Sequence, residues 1–150
     1  MQKNGMMRRL LLATTLLLGG LCAMAQQTDG QAFRGYLVNH EFNVYMRINF
    51  YEKDVVITWQ DVFGQLPGFM ARYGDARCWI VAEATMDGNK AELEMINDYG
   101  VDDLTATLTQ VNDTTYTFQH RSGSPMKYRE NGKWRKLPST MTFIKKSVHL

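Results

Sequence analysis

Apolar and polar side chains alternate without a break from residue 42 to residue 51, and this alternation constrains the fold more than any other feature. Every second position is apolar: Phe42, Val44, Met46, Ile48 and Phe50. The positions between them are polar or amphipathic: Asn43, Tyr45, Arg47, Asn49 and Tyr51. A period of two places one set in a core and the other in water, as in a β-strand. We expect a turn at residues 52–54 and a return arm through Val55, Ile57 and Trp59, giving a hairpin from Phe42 to Gln60.

Shorter alternating segments follow, separated by sequences that favour tight turns. These turn sequences are Asp87-Gly88-Asn89, Asp98-Tyr99-Gly100, Asn112-Asp113 and Asn131-Gly132. The spacing predicts an all-β, antiparallel up-and-down meander of eight or nine strands that closes into a barrel, since closure removes exposed sheet edges. A two-sheet β-sandwich is the alternative. The residues expected inside the barrel are bulky and apolar: Met46, Ile48, Phe50, Trp59, Leu93, Met95, Leu108, Phe118 and Phe143.

The first 25 residues have the three parts of a secretory signal peptide. A basic start is followed by an apolar run at residues 10–18 and a small-residue cleavage site ending at Ala25. The run is shorter than the roughly 20 residues that span a bilayer, so no stable membrane anchor is expected after cleavage. We expect a periplasmic or secreted protein with a flexible lead-in at residues 26–32 and a single β-barrel domain at residues 33–146.

Charge and cysteine content narrow the classes of partner. Without the basic residues of the signal peptide, 14 basic residues remain against 15 acidic ones, a net charge of −1. This balance argues against a nucleic-acid partner. Only Cys78 remains after cleavage, so no intramolecular disulfide can form. A buried, inert thiol is expected there, with an intermolecular disulfide as the alternative.

The charges are unevenly distributed along the chain. Residues 75–113 hold nine acidic and two basic side chains, whereas residues 121–146 hold eight basic side chains and one acidic. One interpretation is cross-strand charge pairing on the solvent face. The other is a basic patch for an anionic glycan, a lipid head group or a protein partner.

No catalytic or cofactor motif accompanies these patterns. The three histidines, His40, His120 and His149, have no cysteine or carboxylate at zinc-like spacing. No nucleophile, phosphate-binding or dinucleotide-binding signature is present. We therefore expect a protein that is not an enzyme and that uses no metal or cofactor.

Residues 61–77 form an irregular but apolar connection, which in a compact domain is usually a lid, plug or binding loop. We expect it to plug the barrel or to gate a pocket for a small apolar or amphipathic ligand. The predicted ligand-binding residues lie in or beside it: Trp59, Phe63, Phe69, Met70, Arg72, Tyr73 and Arg77. Arg72 and Arg77 would meet an anionic group of the ligand.

A protein-interaction or structural module with a plugged barrel is the alternative function. Tyr45, Arg47 and Tyr51 share the outer face of the longest predicted strand. Tyrosine and arginine are enriched at interface hot spots. The sequence leaves the oligomeric state open.

The chain resembles the lipocalin-like, or calycin, β-barrels in its succession of strands. These families often begin with Gly-x-Trp, and Gly35-Tyr36-Leu37 occupies that place without a tryptophan. The segments Ile48–Lys53, Ile96–Gly100, Leu104–Leu108 and Lys133–Pro138 resemble small exported proteins of uncharacterised function from Gram-negative gut bacteria. The resemblance implies export and a lipocalin-like fold, and it implies no activity and no site residues.

Overall fold

The computed structural model describes residues 31–147, so the predicted signal peptide, its cleavage site and His149 lie outside the described residues. This part of the chain forms twelve β-strands and no helix. Their bounds are β1 (Arg34–Asn39), β2 (Val44–Asn49), β3 (Val55–Val56), β4 (Gln65–Leu66), β5 (Gly68–Arg72), β6 (Cys78–Asp87), β7 (Lys90–Asn97), β8 (Asp103–Gln110), β9 (Thr115–Gly123), β10 (Lys127–Glu130), β11 (Lys133–Lys136) and β12 (Thr140–Lys146).

Eight of these strands form a closed antiparallel barrel in the order β1-β12-β9-β8-β7-β6-β5-β2. The first strand closes it by pairing with both β2 and β12. Two short hairpins, β3–β4 and β10–β11, remain outside the barrel ladder. The predicted all-β up-and-down barrel is confirmed, and the alternative sandwich is not formed.

The predicted hairpin from Phe42 to Gln60 is wrong. Strand β2 pairs with β5, so that Met46 lies opposite Met70, while Val55 pairs with Leu66 in β3–β4. The Asn49 side chain ends β2, because its Oδ1 accepts hydrogen bonds from the backbone N–H groups of residues 51 and 52. An asparagine that bonds to nearby backbone in this way favours a turn over a continuing ladder.

Bulky apolar side chains fill the barrel interior. Eight of the nine residues predicted there are buried, and Trp59 is the exception because it lies outside the barrel with 41% of its surface exposed. The end of the barrel at which β1 begins is closed by Phe33, which stacks on Phe50 at 5.7 Å between ring centres. The Tyr116 ring packs edge-on against Phe33, and its hydroxyl donates to the Ala32 carbonyl.

A β-bulge at Ala82 changes which side chains of β6 share a face. Pairing with β7 shifts register between Val81 and Glu83. Val81 and Ala84 therefore both contact the interior, although they are three residues apart. Strict alternation along residues 78–86 predicts that Ala84 shares a face with Cys78, and this prediction is wrong because an extra residue in one strand reverses the alternation beyond it.

Residues 55–67, here called the strap, cover the outside of the barrel wall. Ile57 from the strap is buried against Phe69, Cys78 and Ile80, whose side chains point outward from β5 and β6. This outer cluster is separate from the barrel core. The prediction that residues 61–77 form one irregular connection that plugs the barrel is therefore wrong, since the first part lies on the outer wall and Gly68–Arg72 is itself a barrel strand. The expectation that this stretch gates a ligand pocket stays a prediction.

Candidate functional site at the barrel mouth

A cavity of about 290 Å³ lies at the end of the barrel opposite Phe33, beneath the β10–β11 hairpin. Its apolar surface comes from barrel strands and from the base of the hairpin: Val44, Met70, Trp79 and Leu137. The connections β5–β6, β7–β8 and β9–β10 supply its rim. The cavity thus combines an apolar floor with a rim of polar and charged side chains.

The hairpin that covers this cavity is attached at its base. Its turn is Asn131-Gly132, and both residues have the positive φ angles, 51° and 76°, that a two-residue turn of this type requires. At the base, Met126 is buried in the barrel core, and the Leu137 N–H donates to the Met126 carbonyl at 2.8 Å. Between these points the hairpin shares no ladder with the barrel.

Two arginines of the mouth hold the hairpin by side-chain contacts. The Arg72 guanidinium lies 4.4 Å from the centre of the Tyr128 ring and 3.7 Å from Glu130. The Arg77 guanidinium lies 4.8 Å from the centre of the Trp134 ring. Strand register places Tyr128 and Trp134 on opposite faces of the hairpin, so the two arginines contact it from both sides.

Asp75 fixes the orientation of Arg77. Its carboxylate accepts hydrogen bonds from the Arg77 Nε at 2.9 Å, the Nη2 at 2.5 Å and the backbone N–H at 3.0 Å. The hydrogen bond from the Arg77 side chain is the main cause that lowers the pKa of the Asp75 carboxyl, and it raises the pKa of Arg77 in turn. The guanidinium edge is therefore occupied by Asp75, and its flat face is left for the Trp134 ring.

The β7–β8 connection gives the rim an acidic side. Asp98 accepts a hydrogen bond from the Gln60 amide at 3.1 Å. Asp102 accepts from the Asn97 amide at 3.0 Å and from the Ser124 hydroxyl at 3.2 Å. Lys127 lies on the hairpin side of the same cavity. The rim can therefore present hydrogen-bonding groups of both charges to a molecule held over the apolar floor.

Three of the predicted ligand-binding residues line this cavity. Met70 points into the barrel from β5, while Arg72 and Arg77 reach the rim. The expectation that Arg72 and Arg77 contact a ligand stays a prediction, and in the structure both hold the hairpin. Phe69, the residue before Met70, faces the outer wall instead, because successive residues of a strand alternate between its faces.

The other four predicted residues belong to the outer wall. Phe69 is buried under Trp59, with ring centres 5.5 Å apart, and Phe63 packs against the same outer cluster. The Trp59 indole N–H donates to the Ala76 carbonyl at 2.9 Å. Tyr73 lies 4.6 Å from the Tyr45 ring and shares a short hydrogen bond with the Tyr36 hydroxyl. The structure does not bring these four to the cavity.

The three residues of the predicted interaction face, Tyr45, Arg47 and Tyr51, have different surroundings in the structure. Tyr45 is half-buried between Tyr36 and Tyr73, and burial raises the pKa of its hydroxyl. Tyr51 lies beyond the far end of the strand, where its hydroxyl accepts a hydrogen bond from the Phe33 N–H. Arg47 remains exposed between them.

The sequence did not place the hairpin over the mouth. Tyr128, Trp134 and Leu137 line the cavity, yet their local pattern is that of any short strand pair. One available signal was the Asn131-Gly132 turn flanked by aromatic and basic residues, which indicates a hairpin but not its position. Trp79 of β6 lines a cavity only because the hairpin lies above it.

Among the described residues, the one thiol belongs to Cys78. Cys78 is buried as predicted, and burial followed by the nearby Asp98 charge raises the pKa of its thiol to about 12. Within residues 31–147 no group of three histidine, cysteine or carboxylate side chains could hold a metal ion. In the same range no helix is long and apolar enough to cross a membrane.

Comparison of the chain with protein-family models, with curated proteins and with solved structures finds no match. Function is therefore inferred from the geometry of the mouth.

Proposed function

We propose that this protein binds a small apolar or amphipathic molecule at the barrel mouth without converting it chemically. The observation that carries the proposal is the cavity between the apolar barrel end and the β10–β11 hairpin. Ligand pockets usually enclose about 300–1,000 Å³ and combine apolar walls with a few polar groups. A cavity of about 290 Å³ lies just below this range, so the ligand is small.

The hairpin acts as the cover of this site. It meets the barrel above its base through the arginine contacts with Tyr128, Glu130 and Trp134. Contacts of this kind are worth on the order of 0.5–1 kcal/mol each when exposed. The hairpin can therefore open for a ligand without breaking any strand pairing of the barrel.

The proposal also includes a lipocalin-like fold and a location outside the cytoplasm. The closed eight-stranded barrel supports a lipocalin-like assignment, and the sequence of residues 1–25 supports export to the periplasm or the cell exterior. A carrier or sensor of a small exported or environmental molecule fits both features.

Filling the cavity tests the proposal. Ser124 lines the cavity, whereas Ser122, two residues earlier, lies on the outer barrel face and bonds to Thr105. We expect Ser124→Trp to weaken binding of the neutral dye N-phenylnaphthylamine by about tenfold or more, because the indole occupies the ligand volume. Ser122→Trp also removes one hydroxyl hydrogen bond and should leave binding unchanged. Dye fluorescence titration measures both, with circular dichroism as the check on folding.

Equal dye binding by the two folded variants would contradict the proposal, as would a wild-type protein that binds no dye. Native mass spectrometry of the protein from its natural source then names the ligand class. A bound mass of a few hundred daltons that is lost from Ser124→Trp but kept by Ser122→Trp is the expected result.

A further inference from the structure

One face of the β10–β11 hairpin carries only basic and aromatic side chains. Register places Lys127 opposite Lys136 and Arg129 opposite Trp134, so these four residues share a face, here called the basic face. All four are exposed. The one carboxylate of the hairpin, Glu130, is on the other face, where it pairs with Arg72 and Arg135.

The two lysines of the basic face do not stabilise the hairpin. Like charges directly opposite each other on a strand pair are destabilising, and Lys127 faces Lys136 in this position. The carboxylates nearest to this face are already paired with arginines, Asp75 with Arg77 and Glu130 with Arg72 and Arg135. The unfavourable Lys127–Lys136 pairing is explained if an anion outside the protein neutralises the two charges.

We propose that the basic face docks the barrel mouth on an anionic lipid bilayer. Lysine and arginine side chains near such a surface attract its head groups, and tryptophan favours the boundary between head groups and acyl chains. Trp134 is 57% exposed on the basic face. On the neighbouring rim, Tyr99 and Val101 are 71% and 81% exposed, so apolar surface accompanies the positive charge.

The charge distribution sets the orientation of docking. The outer faces of β6 and β7 carry Glu83, Glu92 and Glu94, with Glu83 directly opposite Glu94. An anionic bilayer repels this wall and attracts the basic face. The rim carboxylates Asp98 and Asp102 already accept hydrogen bonds from Gln60, Asn97 and Ser124, whereas no carboxylate lies on the basic face itself. Docking therefore turns the cavity mouth toward the lipid.

Vesicle sedimentation tests this surface independently of dye binding. We expect the protein to bind vesicles of phosphatidylcholine containing one third phosphatidylglycerol, and not vesicles of pure phosphatidylcholine. Raising the salt concentration should weaken the binding, because salt screens exposed charges. The double variant Lys127→Gln with Lys136→Gln should lose affinity on the order of thirtyfold.

A matched control removes the same charge elsewhere. Lys90 and Lys146 are exposed and lie away from the hairpin, so Lys90→Gln with Lys146→Gln should change vesicle binding by less than about threefold. Trp134→Phe should reduce the blue shift of tryptophan emission on vesicle binding, since this ring enters the interface.

Equal loss in the two double variants would overturn the proposal, because it would indicate a response to net charge alone. Binding to soluble dextran sulfate without binding to anionic vesicles would also overturn it and would indicate a polyanionic partner. The protein can fail to bind vesicles even if Ser124→Trp weakens dye binding as expected. It can also bind vesicles when the dye result is negative, so the two proposals are tested separately.

Discussion

At the scale of single residues, burial decides the chemistry of Cys78. The thiol lies under the strap, in contact with the outer cluster around Ile57 and Ile80. Removing a thiolate from water disfavours the charged form, and the Asp98 carboxylate adds to this effect. The lone cysteine of the predicted mature chain is therefore protected where an exposed thiol would be oxidised.

Cys78 is expected to resist thiol reagents in the folded protein. At about pH 8 a thiol of pKa about 12 is roughly one part in ten thousand thiolate, against about a quarter for a free cysteine. Reaction with Ellman's reagent should therefore be at least about a thousandfold slower than for a cysteine peptide. Absorbance measures the rate, and unfolding in guanidinium should restore it. A fast reaction of the folded protein would mean that the strap leaves the thiol open.

At the scale of elements, β5 contributes to both the cavity floor and the outer wall of the barrel. Its side chains alternate between the two clusters, so that Met70 contributes to the cavity floor while Phe69 and Ala71 hold the strap. Gly68 begins the strand beside β2, and a Cβ atom there would lie 2.5 Å from the Arg47 carbonyl oxygen. The missing side chain is what allows the two strands to approach.

Gly68→Ala is expected to lower the free energy of unfolding by about 3 kcal/mol, because backbone atoms of β2 must move to admit the methyl group. Gly64→Ala is the control: its φ is +61° but nothing lies within 4 Å of the added atom, so a cost of about 1 kcal/mol is expected. Urea unfolding measures both. A Gly68→Ala cost no larger than that of Gly64→Ala would show that β5 and β2 are not closely packed.

At the scale of the whole molecule, the barrel and the hairpin are separate in their strand pairing. The barrel closes through β1 and β12, and the chain returns to it directly after the hairpin through Leu137 and Ser139, whose carbonyl accepts from the His120 N–H. The hairpin adds the cover of the site and the basic face. Ligand binding and surface charge can therefore change while the barrel stays intact.

Replacing residues 127–136 by Gly-Gly should leave the barrel folded. The hydrogen bond between Leu137 and Met126 already has the geometry of a two-residue connection, so the short loop can close. We expect a loss of about 2 kcal/mol or less, the sum of the two arginine–aromatic contacts and the Arg72–Glu130 ion pair that join the hairpin to the barrel. Dye affinity should fall by about tenfold. Loss of cooperative unfolding in thermal circular dichroism would show that the barrel needs the hairpin in order to fold, and would contradict this prediction.

Much of the fold could be predicted from local pattern, and most of the site could not. The inward faces of β2, β7, β8, β9 and β12 followed from alternation, and the turns followed from their Gly, Asn and Asp residues. Of the seven predicted ligand-binding residues, only Met70, Arg72 and Arg77 reached the cavity. The other four, Trp59, Phe63, Phe69 and Tyr73, are apolar or aromatic like the residues of the barrel interior. Apolar character alone does not distinguish the inside of a barrel from a covered outer wall.

The sequence by itself determined which side chains of each strand face together, because a period of two is a property of neighbouring residues. Only the tertiary structure decided that β2 pairs with β5, that the strap lies outside and that the hairpin covers the mouth. Backbone hydrogen bonds between strands are nearly independent of side-chain identity, so the partner of a strand depends on how the whole chain buries its apolar surface. The candidate site is a product of that assembly, since its floor and its cover come from segments that are distant in the sequence.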